Sequence, residues 1–177
     1  MTPEAFNALF DSLRGSAFRL EALPRYQVGG MEEERFTAFL EGRALPDRSV
    51  RTNAWVARVA VSTVIKGVSW TRLRIVDRPL TDFQRYQLES YRESQAVGEQ
   101  VTFLYRDQIA QAGPDFWLID AGTASAAAVV MGYDEDGRWL SADLVTDPEQ
   151  IAALDAHRTT LQAAAAPLNE FLAATHG

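Results

Sequence analysis

The sequence predicts an α/β fold, a single layered domain over residues 1–177 with a mixed β-sheet flanked by helices. Three observations carry this. Apolar residues recur at helical spacing in some stretches and alternate with period two in others. In the middle of the chain the two patterns take turns, helix then strand, as layered α/β domains do. Towards the C-terminal end, two strand patterns flank the turn "DEDG" (134–137), which reads as a β-hairpin. No internal repeat, low-complexity linker or second domain interrupts them.

The first helix opens with Thr2 as cap and Pro3 in the first turn, carries Phe6, Leu9, Phe10 and Leu13 as one apolar stripe, and stops at Gly15. "AFRLEALPRY" (17–26) alternates as a strand and breaks near Pro24. "MEEERFTAFLEG" is a short helix with acids in its first turn, Phe36, Phe39 and Leu40 facing inwards, and Gly42 as the stop. A loop spans 43–51. "NAWVARVAVSTVIKG" has the β-branched residues of a strand, but its length and closing Gly67 favour a helix. "WTRLRIVD" (70–77) is a strand with Leu73 and Ile75 on one face and Trp70, Arg72, Arg74 and Val76 on the other. Thr81 and Gln84 form a capping box that starts the next helix. "EQVTFLYR" and "DFWLID" are two further strands, and the hairpin follows. Asp147 and Pro148 open a last amphipathic segment with Ile151, Leu154, Leu161, Ala165, Leu168 and Leu172 on its stripe, which Pro167 kinks or breaks.

Composition narrows the function. The chain has 177 residues, 47% hydrophobic and 23% charged, enough for one real core. No apolar run reaches the roughly 20 residues that span a bilayer. The N-terminal stretch lacks the basic start and apolar centre of a signal peptide, so a cytoplasmic location is expected. With no cysteine, disulfides, thiolate metal sites and cysteine nucleophiles are excluded. The net charge of −7 and the lack of a concentrated basic face argue against direct nucleic-acid binding. Acids cluster at 134–155, where Arg138 is the single basic residue among seven acids. The 16 arginines outnumber one lysine, Lys66, a bias that suggests a GC-rich genome more than it suggests chemistry.

Catalytic patterns are scarce. The two histidines are His157, within the closing helix and read as a surface or packing residue, and His176 at the chain end. Triads, zinc sites and imidazole general bases lack a candidate. Lys66 sits in no glycine-rich phosphate loop. "DEDG" has calcium-loop acids but the wrong glycine spacing, so it reads as a solvated turn. No metal or cofactor is expected. The acids at strand ends and helix starts (Asp77, Asp82, Glu99, Asp115 and Asp120) are more simply caps and anchors than a catalytic pair. Arg72 and Arg74 share a strand face and either bind an anion or, more simply, make salt bridges to a helix. Arg85 lies between Asp82 and Glu89 at helical spacing, as a surface charge network would. Trp117 and Ile119 most simply face the core.

Nearly the whole chain resembles a family of actinobacterial proteins of unknown function marked by an "RVRVV…PLSDYxRFE…GEDI…DFWLFD" pattern. The matching pieces are Arg72 to Val76, Pro79 to Phe83, Arg85 and Tyr86, Gly98 and Glu99, Asp115 to Asp120, and the early "AFRLE" (17–21). Gln87 departs from the family's glutamate, and 43–69 matches poorly. Members are often encoded beside helix-turn-helix regulators, which implies a regulatory or signalling role without an activity. The element order also resembles one half of a phospholipase D-like fold. Setting Asp120 as the aspartate of that fold's His-x-Lys-x4-Asp motif puts Gly113 and Asp115 at the histidine and lysine positions. The resemblance therefore implies a non-catalytic version, with DFWLID as scaffolding.

Two functions follow as expectations. The first is a non-enzymatic regulatory or interaction module that partners a protein such as a helix-turn-helix regulator through Asp134, Glu135 and Asp136. The second is a sensor of an anionic metabolite, with Arg72, Arg74, Arg85, Asp115 and Trp117 around a pocket at the sheet edge. A carboxylate-dependent hydrolase using Asp77, Asp115 or Asp120 is the third and weakest. A monomer and a homodimer fit the size equally.

Overall fold

The computed structural model describes residues 1–175. Helix ends form where side chains satisfy free backbone N–H groups. Thr2 Oγ1 accepts from Ala5 N at 3.2 Å and begins α1 (Pro3–Asp11). Asn53 Oδ1 accepts from Val56 N at 3.0 Å and begins α3 (Ala54–Lys66), which Gly67 closes in the left-handed conformation at φ +68°. The Thr81–Gln84 capping box starts α4 (Asp82–Ala96). Asp147 Oδ1 accepts from Gln150 N at 2.9 Å and begins α5 (Pro148–Ala164). Pro167 separates α5 from α6 (Leu168–Thr175). No helix among the described residues is long and apolar enough to cross a membrane.

Among the described residues seven strands form one mixed sheet: β1 (Ser16–Glu21), β2 (Ser69–Val76), β3 (Glu99–Tyr105), β4 (Asp115–Ile119), β5 (Ala127–Tyr133), β6 (Trp139–Val145) and the two-residue β7 (Ala166–Pro167). Their order is β6-β5-β4-β1-β2-β3-β7. The strands β1, β2 and β3 are parallel and are linked through helices; β4, β5 and β6 run antiparallel as a meander with the predicted hairpin at its end. The strand β7 was not legible in the sequence. It pairs with Thr102 and Phe103 of β3, and Phe171 of α6 stacks on Phe103 at 4.5 Å.

The two faces of the sheet differ. On one, Phe18, Leu20, Leu73, Ile75, Phe116 and Leu118 pack against Ile151 and Leu161 of α5 in an apolar layer. On the other, Trp70, Trp117 and Ile119 meet Phe10 of α1 and Val59 of α3. Farther along that face, Val76, Val101 and Phe103 meet Tyr91 of α4 and Leu168 and Phe171 of α6. Between these apolar patches the strand alternation places Arg19, Glu21, Arg72 and Arg74.

The helix α2 (Met31–Leu40) covers the rim of this second face with a rotation the sequence did not predict. Phe36 and Phe39 pack against Phe83 and Tyr86 as expected, but Leu40 is 56% exposed while Arg35 and Ala38 are buried. Arg35 turns inwards because its guanidinium is held by Glu93 of α4 at 2.8 Å and by the carbonyl of Pro46. These bonds offset much of the cost of desolvating the charge, although Nε is buried without a partner among the described residues.

Candidate functional site

Strand register builds a charged cluster in the middle of the second face. Arg19 lies beside Arg72 on one side and Trp117 on the other, and Glu21 lies beside Arg74. Arg19 Nη2 donates to Asp115 Oδ2 at 2.9 Å and to the Tyr133 hydroxyl at 3.0 Å. Asp115 also accepts from the Tyr26 hydroxyl and from Ala22 N. Arg72 donates from Nε to Glu99 at 2.8 Å and from Nη1 to Glu21, whose other oxygen accepts from the Tyr91 hydroxyl. Arg74 reaches Gln87 Oε1 at 2.9 Å and the carbonyls of Glu21 and Ile75. Two guanidinium groups, Arg19 and Arg72, thus pair with three carboxylates while Arg74 lies alongside on neutral acceptors, and all six side chains belong to buried or nearly buried residues.

The electrostatics follow from this packing. Burial raises the Glu21 carboxyl, but Arg72, then Arg19 and Arg74, more than offset that and hold it at about 2. Burial also opposes charge on Arg19, yet Asp115 raises its affinity for the proton above the ordinary arginine range. Burial pushes Tyr26 and Tyr91 well above the usual phenol range, so both hydroxyls stay protonated and donate. Glu21 is therefore ionised near neutral pH, and Arg19, Arg72 and Arg74 keep their charge.

Above it opens a pocket of about 460 Å³, within the range of small-molecule sites. Arg19, Glu21, Arg72 and Trp117 form its floor. Tyr26, Phe83, Tyr86, Tyr91 and Tyr133 form its walls, and Phe6, Trp55 and Trp139 come from its other side. The hydrogen bonding of its lining is unbalanced towards donors. Both oxygens of Glu21 already accept, from Arg72 and Tyr91, and both oxygens of Glu32 accept, from Arg48 and Tyr86. Arg19 Nη1, in contrast, is buried with no partner. The Tyr133 hydroxyl accepts from Arg19 and has no protein acceptor for its own proton among the described residues. Gln87 gives its carbonyl to Arg74, which leaves its NH₂ group. Ser90 Oγ, which can donate or accept, is also buried without a partner in the lining, whereas the orphaned carboxylate oxygen Glu99 Oε2 belongs to a residue outside it.

The sequence-derived candidates fall in several places. Arg72 and Trp117 line the pocket. Arg74 is fully buried behind it and positions Gln87, which does line it. Arg72 makes its ion pairs with the flanking strands β1 and β3, where a helix was the simpler expectation. Arg85 is on the exposed face of α4 against Asp82, while Glu89 pairs with Arg92. Asp115 is sealed under Tyr26 and Arg19. The pocket lies over the sheet face, away from the edge where it was expected. Arg19, Glu21, Tyr26 and Tyr133 were not singled out from the sequence. The signal was present in "AFRLE": Arg19 and Glu21 stand two apart in an otherwise apolar strand, and therefore share one face.

The acids of DFWLID anchor β1 at both ends. Asp115 accepts from Ala22 N, just after β1. Asp120 accepts from Gly15 N at 2.7 Å and Ser16 N at 3.0 Å, with a longer contact from Arg14 N, just before it. This cap accompanies a left-handed backbone at Asp120, φ +48°. The remaining acids have separate partners: Asp77 holds Gln84 and Arg106, and Glu99 holds Arg72. Asp134 accepts from Asp136 N and Arg138 N within the hairpin turn, and Glu135 and Asp136 make no ion pair among the described residues. His157 Nε2 meets the Ala112 carbonyl at 2.9 Å, Lys66 binds the Asp11 carbonyl, and His176 lies outside the described residues.

The chain belongs to the family described as a domain of unknown function (DUF6879), whose model matches residues 4–173. No curated protein matches the chain.

Proposed function

We propose that this domain is a non-enzymatic sensing module that works in the cytoplasm and holds a small anionic metabolite in the pocket above Arg19, Arg72 and Trp117. The observation that carries the reading is the buried Arg19 Nη1, a charged donor without a partner at the floor of an aromatic pocket. An unmet buried donor costs about 1–3 kcal/mol, more when charged, and a ligand acceptor recovers that energy. A non-catalytic role is supported by how the acids are used. The strand-end and helix-start acids Asp77, Asp82, Glu99, Asp115 and Asp120 each hold a structural partner, and neither histidine nor lysine lines the pocket among the described residues.

A metabolite panel read by thermal shift tests this. A ligand at 100 times its Kd adds about 2.7 kcal/mol of stability, or about 5–11 °C for a chain of this size. The shift should shrink in Trp139→Ala, which removes a partly exposed ring from the pocket wall. A panel with no shift, or shifts indifferent to Trp139→Ala, would overturn the reading.

The hairpin supports a second role, as the surface that reports to a protein partner. Glu135 and Asp136 are exposed and make no ion pair among the described residues, and the turn packs on the pocket wall: Gln27 N donates to Gly137 O at 2.9 Å. A basic regulator, such as a helix-turn-helix protein, complements those acids. Charge reversal at Asp134, Glu135 and Asp136 should abolish co-purification of such a regulator, and unchanged recovery would remove this surface from consideration.

A further inference from the structure

Building on the pocket-binding reading, we propose that the ligand class is a planar aromatic monocarboxylate, with its ring among the pocket's aromatic side chains and its carboxylate on Arg19, Tyr133 and Gln87. Three independent features select it. The first is shape and surface. Trp55, Trp117 and Trp139, with Tyr26 and Tyr133, present rings and edges to the space, and flat apolar ligands gain most from such walls.

The second is the direction of hydrogen bonding. Each oxygen of Glu21 and Glu32 already accepts from a protein donor, whereas Arg19 Nη1, the Tyr133 hydroxyl proton and the Gln87 NH₂ are not engaged among the described residues. A ligand must therefore offer acceptors. A carboxylate supplies two oxygens, and its bonds to a guanidinium are the stronger, charge-assisted kind.

The third is the carboxylate in the floor. Glu21 stays ionised on the Arg72 guanidinium, so it repels a dianion such as a phosphate more strongly than a monoanion.

A matched set of probes separates these demands: 2-naphthoate, its neutral amide 2-naphthamide, and the dianion 2-naphthyl phosphate, titrated calorimetrically into the full chain. Naphthoate is expected to bind at least about 10-fold tighter than either other probe, a gap of about 1.4 kcal/mol. Tyr133→Phe, which keeps the ring and removes the hydroxyl, should weaken naphthoate several-fold and leave naphthamide nearly unchanged. Arg19→Gln should abolish the preference; since it also breaks the Asp115 pair and endangers folding, Tyr133→Phe stands as the independent variant.

Naphthamide binding as tightly as naphthoate, or the phosphate binding tightest, overturns the acid class while the pocket stands. Failure of all three, with a Trp139-dependent shift from the metabolite panel, overturns the class alone. Failure of both experiments overturns the pocket as well.

Discussion

Glu21→Gln is the perturbation that most directly probes the charged cluster. The substitution keeps the side chain's size but only one of its two acceptor oxygens, so Arg72 and Tyr91 both lose the charge and one of them faces an NH₂ group in place of an acceptor. The magnitude can be worked from the environment of Glu21. Its ordinary value near 4.5 falls to about 2 in the folded chain, and at 1.36 kcal/mol per pH unit that gap is about 3 kcal/mol. The figure agrees with the roughly 3–5 kcal/mol lost when one member of a buried pair is removed. A depressed carboxyl contributes stability that is fully present above its unfolded value and disappears as pH falls through its folded value. The wild-type advantage over Glu21→Gln should therefore be about 3 kcal/mol at pH 7 and about half that at pH 3. Urea denaturation followed by tryptophan fluorescence at both pH values measures it, and the melting temperature at pH 7 should drop by about 6–12 °C. A difference under 1 kcal/mol at pH 7, or one that does not shrink on acidification, would refute the claim that Glu21 is held ionised by Arg72, Arg19 and Arg74.

Other substitutions separate structural devices from bystanders. Asp120→Ala removes the acceptor for the Gly15 and Ser16 N–H groups and leaves alanine at positive φ; it should cost about 2–3 kcal/mol in chemical denaturation, and Asp120→Asn distinctly less. Gly137→Ala would bring its Cβ to 2.4 Å from the Arg25 carbonyl at φ +79°, so the turn must lift from residues 25–27; a loss of about 1–3 kcal/mol is expected, with weaker ligand binding because Tyr26 is displaced. Val64 and Ile65 of α3 are 79% and 76% exposed; serine at either should change stability by no more than about 0.5 kcal/mol in the same assay.

What was legible in the sequence was mostly local. Thr2, Thr81 and Asp147 cap helices through contacts with residues only three positions away, so their signal is contained in a short window. The alternation in "WTRLRIVD" correctly put Arg72 and Arg74 on one face because strand period is a local property. Long-range pairing was not legible. Nothing near Ala166 and Pro167 announces a partner at Thr102 and Phe103, and two residues are too few for a period. Leu40 and Arg35 exchanged expected roles in α2 because Glu93, distant in sequence, gives Arg35 a buried partner. The pocket was glimpsed through Arg72 and Trp117, but placed at the sheet edge. Its true position depends on Arg19 lying between those two residues, which is a fact of strand order.

The most direct measurement is the indole N–H region of a ¹H–¹⁵N NMR spectrum, recorded while 2-naphthoate is added. Trp55, Trp117 and Trp139 line the pocket, whereas Trp70 lies beneath them with its Nε1 bonded to Ser62 at 2.8 Å. The account predicts saturable shifts for the first three signals and the smallest for Trp70. An unchanged spectrum, or changes that spare the three lining residues, would contradict it.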